Sequence, residues 1–154
     1  MTSRSSADAA PPRGVHLPRA IRDALIADLR AARPNEGCGL IAGDASPFRG
    51  GAALAWLATR NRLASPYRFE VDPDDLLRAQ LAIDDAGQVV WAVVHSHVAS
   101  EPRPSPTDIR AAVHPEALHL VVSFTSDPPG LRAWRITADA DVTEVPIIEI
   151  GTPS

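Results

Sequence analysis

Lysine is missing from this chain of 154 residues, whose fifteen basic side chains are all arginine. No side-chain amine is therefore available for acylation. Cysteine is nearly as scarce. Cys38 stands alone, which excludes an internal disulfide framework and any multi-cysteine metal site, and suits a reducing cytoplasm. Long apolar runs are missing too: nothing approaches the roughly eighteen consecutive apolar residues of a membrane-spanning helix. A basic excess is also lacking. The formal net charge of −4 gives no reason to expect a nucleic-acid or membrane partner. Met1 to Gly14 is rich in Ser, Ala and Pro without an apolar core, and reads as a disordered tail rather than a signal peptide. Residues 15–150 have the size, and the chain the 45% hydrophobic content, of one globular domain, leaving 151–154 as a short C-terminal tail.

What the chain does have is concentrated between Val89 and Asp108. A run of Val, Trp and Ala ends in His95-Ser96-His97 and reads as a buried strand, its side chains alternating between faces. His95 and His97 then share one face, roughly 6–7 Å apart along the strand, and Ser96 points the other way. After a Pro-rich loop, Ser105-Pro106-Thr107-Asp108 opens a helix, with Ser105 at the N-cap and Pro106 at the first helical position. Ser105 and Asp108 lie one turn apart, so both can look back at the histidines.

Around this stretch the periodicity predicts an amphipathic helix over 17–33, a glycine-punctuated strand over 36–43 and a turn-forming loop over 44–51. It predicts strands over 52–61 and 67–71, then a helix from Asp72 to Gly87 carrying Leu76, Leu77, Leu81 and Ile83. A helix from Pro106 to about His114 follows, with strands over 118–125, 131–137 and 142–150. Trp56, Trp91 and Trp134 read as core, and His16, His114 and His119 as structural or exposed. Irregular alternation of helices and strands favours an α/β fold, a mixed sheet covered by helices on its faces.

A catalytic zinc takes three protein ligands and keeps a fourth position for water. His95, His97 and Asp108 meet that count. The water needs a general base, and Glu36, flanked by Asn35 and Gly37 at the mouth of a Gly-rich strand, is the candidate. The Ser105 hydroxyl could donate to the oxyanion of a tetrahedral intermediate. Blander readings stand beside these. Ser105 and Asp108 form a capping box that needs no metal. Cys38, on the same face as Glu36, is more simply a small buried residue.

Glu36 within P-N-E-G-C-G-L-I-A-G, the H-S-H pair, seven intervening residues and S-x-x-D together resemble the signature of the JAMM/MPN+ zinc metalloproteases, over roughly residues 17–150. That resemblance implies the MPN fold, an α/β mixed sheet related to that of the cytidine deaminases. It also implies Glu36 as acid/base, His95, His97 and Asp108 as zinc ligands, and Ser105 as oxyanion donor. P-Y-R-F-E-V-D-P and H-S-H-V-A-S-E-P-R-P-S-P-T-D-I are most similar to the small bacterial members acting on sulfur-carrier proteins. Those imply a ubiquitin-like β-grasp partner ending in Gly-Gly, from which cysteine or a short extension is removed. A homodimer stays open. The chain lacks the long insertions of the polyubiquitin-specific members. A Gly-Gly tail has few side chains to recognise, so its backbone is expected to add as a strand at an exposed sheet edge. Arg103, in the loop Val98–Pro104, suits a carboxylate on the released residue, or is simply a solvated charge.

Other classes share parts of this pattern. A cupin-like metal enzyme also uses H-x-H, with Glu101 spaced as a ligand, but no second histidine motif follows. A zinc deaminase needs a C-x-x-C, which one cysteine cannot supply. A catalytically silent MPN scaffold typically loses the H-x-H or the Asp, and both are present. One zinc per chain favours the protease, iron or manganese the cupin, and no metal the scaffold.

Overall fold

The computed structural model describes residues 14–151. The expected tails therefore lie outside the described residues, except for Gly14 and Gly151. The order is β1 (Val15–Pro18), α1 (Arg19–Ala32), β2 (Cys38–Gly43), β3 (Ala53–Thr59), α2 (Pro73–Asp85) and β4 (Val89–His97). Then come α3 (Pro106–Ala111), β5 (Leu118–Ser123), β6 (Gly130–Ile136), β7 (Val142–Val145) and β8 (Ile147–Ile150). Six strands form one sheet in the order β3-β2-β4-β5-β6-β7. β4 and β5 run parallel and every other pair is antiparallel, so the sheet is mixed, as expected.

β4 lies inside this sheet because its sequence can bury both faces. From Trp91 to His97 every residue is buried. One face packs Ile41, Val94, Leu120 and Val122 against Leu25 and Leu29 of α1. The other packs Leu40 and Val93 against Ala79 and Ile83 of α2. Glycine at positions 39 and 43 is required by close approach: a Cβ at Gly39 would run into the Trp56 ring, and one at Gly43 into Trp91. Trp91 and Trp134 are buried, while Trp56 packs against the core only in part.

Several boundaries differ from the sequence reading, each for a local reason. Leu17 and Pro18 belong to β1, which pairs in parallel with β8 and buries Val15 and Leu17, so α1 starts only at Arg19. Within the loop over 44–51, Pro47–Arg49 forms a 3-10 turn capped by Ser46. The last predicted strand is split at Pro146, whose missing N–H cannot continue a ladder, and its halves join different sheets. α3 stops at Ala111 because Ala112 is extended. Leu76, Leu77 and Leu81 of α2 are exposed, and Ala79 and Ile83 carry the contact to the sheet. Residues 67–71 are not a strand. Only Val71 bridges another backbone, that of Asn61. Among the described residues no helix is long and apolar enough to cross a membrane.

Candidate metal centre

The C-terminal end of β4 puts His95 and His97 on the sheet face that α2 covers. Phe69 stacks on the His95 ring at 4.4 Å between centroids and 16° between planes. The Nδ1–H of His97 donates to the Glu101 carbonyl at 2.7 Å, which turns its Nε2 toward His95. That hydrogen bond fixes ring and tautomer, the usual outer support of a metal-binding imidazole. Glu101 thus meets His97 through its backbone, and its side chain is exposed, which disagrees with the cupin-like role for it.

α3 supplies the third donor. Ser105 Oγ accepts from Asp108 N at 3.0 Å, and Asp108 Oδ2 accepts from Ser105 N at 2.8 Å, a complete capping box. The cap does not compete with the site; it aims the carboxylate. Asp108 Oδ2 lies 3.0 Å from His95 Nε2 and 3.3 Å from His97 Nε2, and the two Nε2 atoms are 3.1 Å apart. Three ligands at zinc bond lengths in a tetrahedron are separated by about 3.3 Å. The triangle of donors fits a cation of that size.

Glu36 completes the group. Ligand atoms of Glu36, His95 and His97 all lie within 4.8 Å of one another. Asp108 makes the tighter set with the histidines, and Glu36 stands beside it. The Glu36 backbone is clamped: its N–H donates to Ser65 O at 2.8 Å, and Asn61 Nδ2 donates to its carbonyl at 3.0 Å. Next door, Ser96 Oγ accepts from Gly37 N at 2.8 Å, and Ser96 N donates to Gly37 O at 3.0 Å. So the side chain between the histidines fastens the Glu36 segment to β4 from the opposite face. Glu36 Oε1 itself is buried without a partner among the described residues.

Charge in the site follows this packing. Burial pushes the Glu36 carboxyl up to about 7, with His97 opposing and Asp108 adding. Burial alone would raise Asp108, but hydrogen bonds from His95 and His97 hold it well below the usual carboxylate range. Burial lowers His95. Burial also pushes His97 down, and Asp108, the Glu101 carbonyl and Glu36 more than offset it, leaving that ring raised. A cation held by the same atoms takes the place of these protons.

Two hollows flank the centre. One of about 300 Å³ is mostly apolar, lined by Phe69, Val71, Pro73, Leu76 and Val93, with His95 and Asp108 in its wall. The other, of about 470 Å³, is lined by His97, Glu101, Arg103, Ser105 and Thr125. Arg103 also lies over the Trp134 ring, 5.6 Å from its centroid. The expected addition of a tail at a sheet edge meets an obstacle. The edges are β3 and β7, and β4 is enclosed by β2 and β5, so the hollows rather than a free edge adjoin the centre.

All five residues singled out from the sequence are brought together here. The sequence reading missed the Phe69 stack, the Asn61 clamp and the Glu101 carbonyl; the last has no signal at all, since any residue carries a carbonyl. Residues 18–137 match the family described as prokaryotic homologs of the JAB domain. The chain belongs to this family. It is similar to the CysO-cysteine peptidase of Mycobacterium tuberculosis, 35% identical over 127 residues that cover 81% of this chain and 84% of the relative. The desampylase of Haloferax volcanii is 32% identical over 108 residues, covering 66% of this chain and 75% of its own. Among solved structures, a protein of Desulfitobacterium hafniense superposes with a TM-score of 0.77 at 29% identity, over 89% of this chain and 93% of that one. A JAB1/MPN domain protein of Archaeoglobus fulgidus reaches 0.53 at 17% identity, covering 86% and 97%, and shares the fold.

Proposed function

We propose that this chain is a zinc-dependent peptidase that hydrolyses the amide bond after the C-terminal Gly-Gly of a small ubiquitin-like sulfur-carrier protein, releasing cysteine or a short extension. Residues 15–150 act as its single catalytic domain. The observation that carries the reading is the convergence of His95, His97 and Asp108 beside a buried, unpartnered Glu36 carboxyl. The names of the relatives, a CysO-cysteine peptidase and a desampylase, support the substrate class.

His95, His97 and Asp108 would hold the zinc, which supplies Lewis acidity and lowers the pKa of a water to about 7. Glu36 takes the proton from the attacking water and delivers it to the leaving amine, and burial tunes its carboxyl to do both near neutrality. Ser105 Oγ accepts from Asp108 N, so its own O–H is free to donate to the developing oxyanion. The Gly-Gly tail offers no Cβ to crowd the centre. Arg103, in the hollow with His97 and Ser105, meets the carboxylate of the released residue.

Asp108→Ala and Glu36→Gln separate the roles. Asp108→Ala should lose zinc by elemental analysis. Glu36→Gln should keep zinc while hydrolysis of a carrier–cysteine conjugate collapses. Full zinc in the first variant, or near wild-type turnover in the second, would sink the assignment.

A further inference from the structure

The loop from Arg62 to Val71 carries Phe69 to His95 and passes Ser65 to Glu36, yet its one bridge, Asn61–Val71, stands apart from the strands of the sheet. Three of its backbone groups are gathered by one side chain. Asn61 Nδ2 donates to Glu36 O at 3.0 Å and to Arg68 O at 2.9 Å. Asn61 Oδ1 accepts from Leu63 N at 3.1 Å and Glu70 N at 3.0 Å. Both donors and both acceptor sites of the amide are thereby used, which also fixes which way it faces. Arg68 and Glu70 are the neighbours of Phe69, so Asn61 brackets the residue whose ring lies on His95. The same loop holds Ala64 at φ 44°, a left-handed conformation that persists in non-glycine residues only where the surroundings enforce it.

We propose that Asn61 is a positioning residue for the metal centre: one side-chain amide sets the backbone of Glu36 and, through the Phe69 stack, the plane of the His95 ring. Its action on turnover rests on the peptidase reading above; its action on His95 does not. Asn61 touches none of the donor atoms. It joins two parts of the site that come from different stretches of chain, the Glu36 segment ahead of β2 and the wall of the apolar hollow ahead of α2. Outer contacts of this kind change metal affinity by about 10- to 100-fold when removed.

The test uses Asn61→Ala, Asn61→Asp and Phe69→Leu in the full chain. Zinc affinity is measured by competition with a chelating dye, amide hydrogen exchange is followed at Leu63 and Glu70, and turnover of a carrier–cysteine conjugate is read at zinc saturation. Asn61→Ala should free both amides to exchange, weaken zinc about tenfold or more, and lower kcat at least tenfold with a smaller change in KM. Phe69→Leu should weaken zinc while the Leu63 and Glu70 amides stay protected, because it removes the ring from His95 and leaves the Asn61 bonds in place. Asn61→Asp keeps the oxygen that holds Leu63 and Glu70 and loses both donated bonds. It should keep both amides protected and lower kcat, so it decides the matter if the alanine variant does not fold. Wild-type zinc affinity in Asn61→Ala, or fast exchange at Leu63 and Glu70 in the wild-type protein, overturns the proposal. If the wild-type chain cleaves no carrier conjugate, the peptidase reading fails, and the zinc and exchange measurements still judge Asn61.

Discussion

Ser96 sits between two metal-directed histidines and faces away from both. It is fully buried, and its hydroxyl accepts from the buried Gly37 N–H at 2.8 Å. Removing an acceptor from a buried amide costs about 1–3 kcal/mol. Ser96→Ala should therefore lower the free energy of unfolding by that amount in a urea titration. It should also cut kcat, since the Glu36 segment loses its anchor, while zinc affinity holds because His95 and His97 project from the opposite face. An unchanged kcat would show that the anchor does not govern Glu36. Cys38, by contrast, is structural: burial pushes its thiol up to about 11, the reverse of what a nucleophile needs. The plainer reading of that residue was the right one.

α3 is only six residues long, and its first turn does two things at once. Glycine is nearly as good an N-cap as serine, costing only a few tenths of a kcal/mol, but has no hydroxyl. Ser105→Gly should therefore leave thermal stability and zinc content close to wild type and lower kcat about a hundredfold, as expected for an oxyanion donor. A parallel loss of zinc would mean that the cap, not the hydroxyl, matters. Elements of this kind were readable in the sequence because their signals are local. A Val-rich run closed by H-x-H is a strand, and S-P-x-D is a helix start. Non-local partners were not readable. Val15–Pro18 is a strand only because Ile147–Ile150 lies beside it, far away in the chain. Residues 67–71 have a strand-like composition, but Arg68 O and Glu70 N bond the Asn61 side chain instead of a neighbouring strand. In α2 Leu76, Leu77 and Leu81 face out, and small Ala79 lets the helix approach the sheet.

At the scale of the whole molecule, the histidines give the metal-free protein a defined acid sensitivity. Burial lowers His95 and His114, and pushes His119 down to about 4. In the unfolded chain each titrates near its ordinary value of about 6.5. Below that pH the unfolded state binds protons that these three rings refuse when folded, so they subtract stability as the pH drops toward 4, against an opposite contribution from the raised Glu36 carboxyl. His97, raised when folded, is protonated in both states in this window and adds no slope there. His119→Gln should flatten the urea-derived stability profile between pH 6.5 and 4 by up to about 1.4 kcal/mol per pH unit, one proton's worth. An unaltered slope would mean His119 does not titrate with folding. The pairing of β1 with β8 also has a mechanical side. These strands run parallel at the two ends of the described chain, from Val15 beside Ile147 to Pro18 beside Ile150. Tension applied between residues 14 and 151 would slide one strand along the other, loading their hydrogen bonds together instead of one after another, so the fold is braced against being pulled open from its ends.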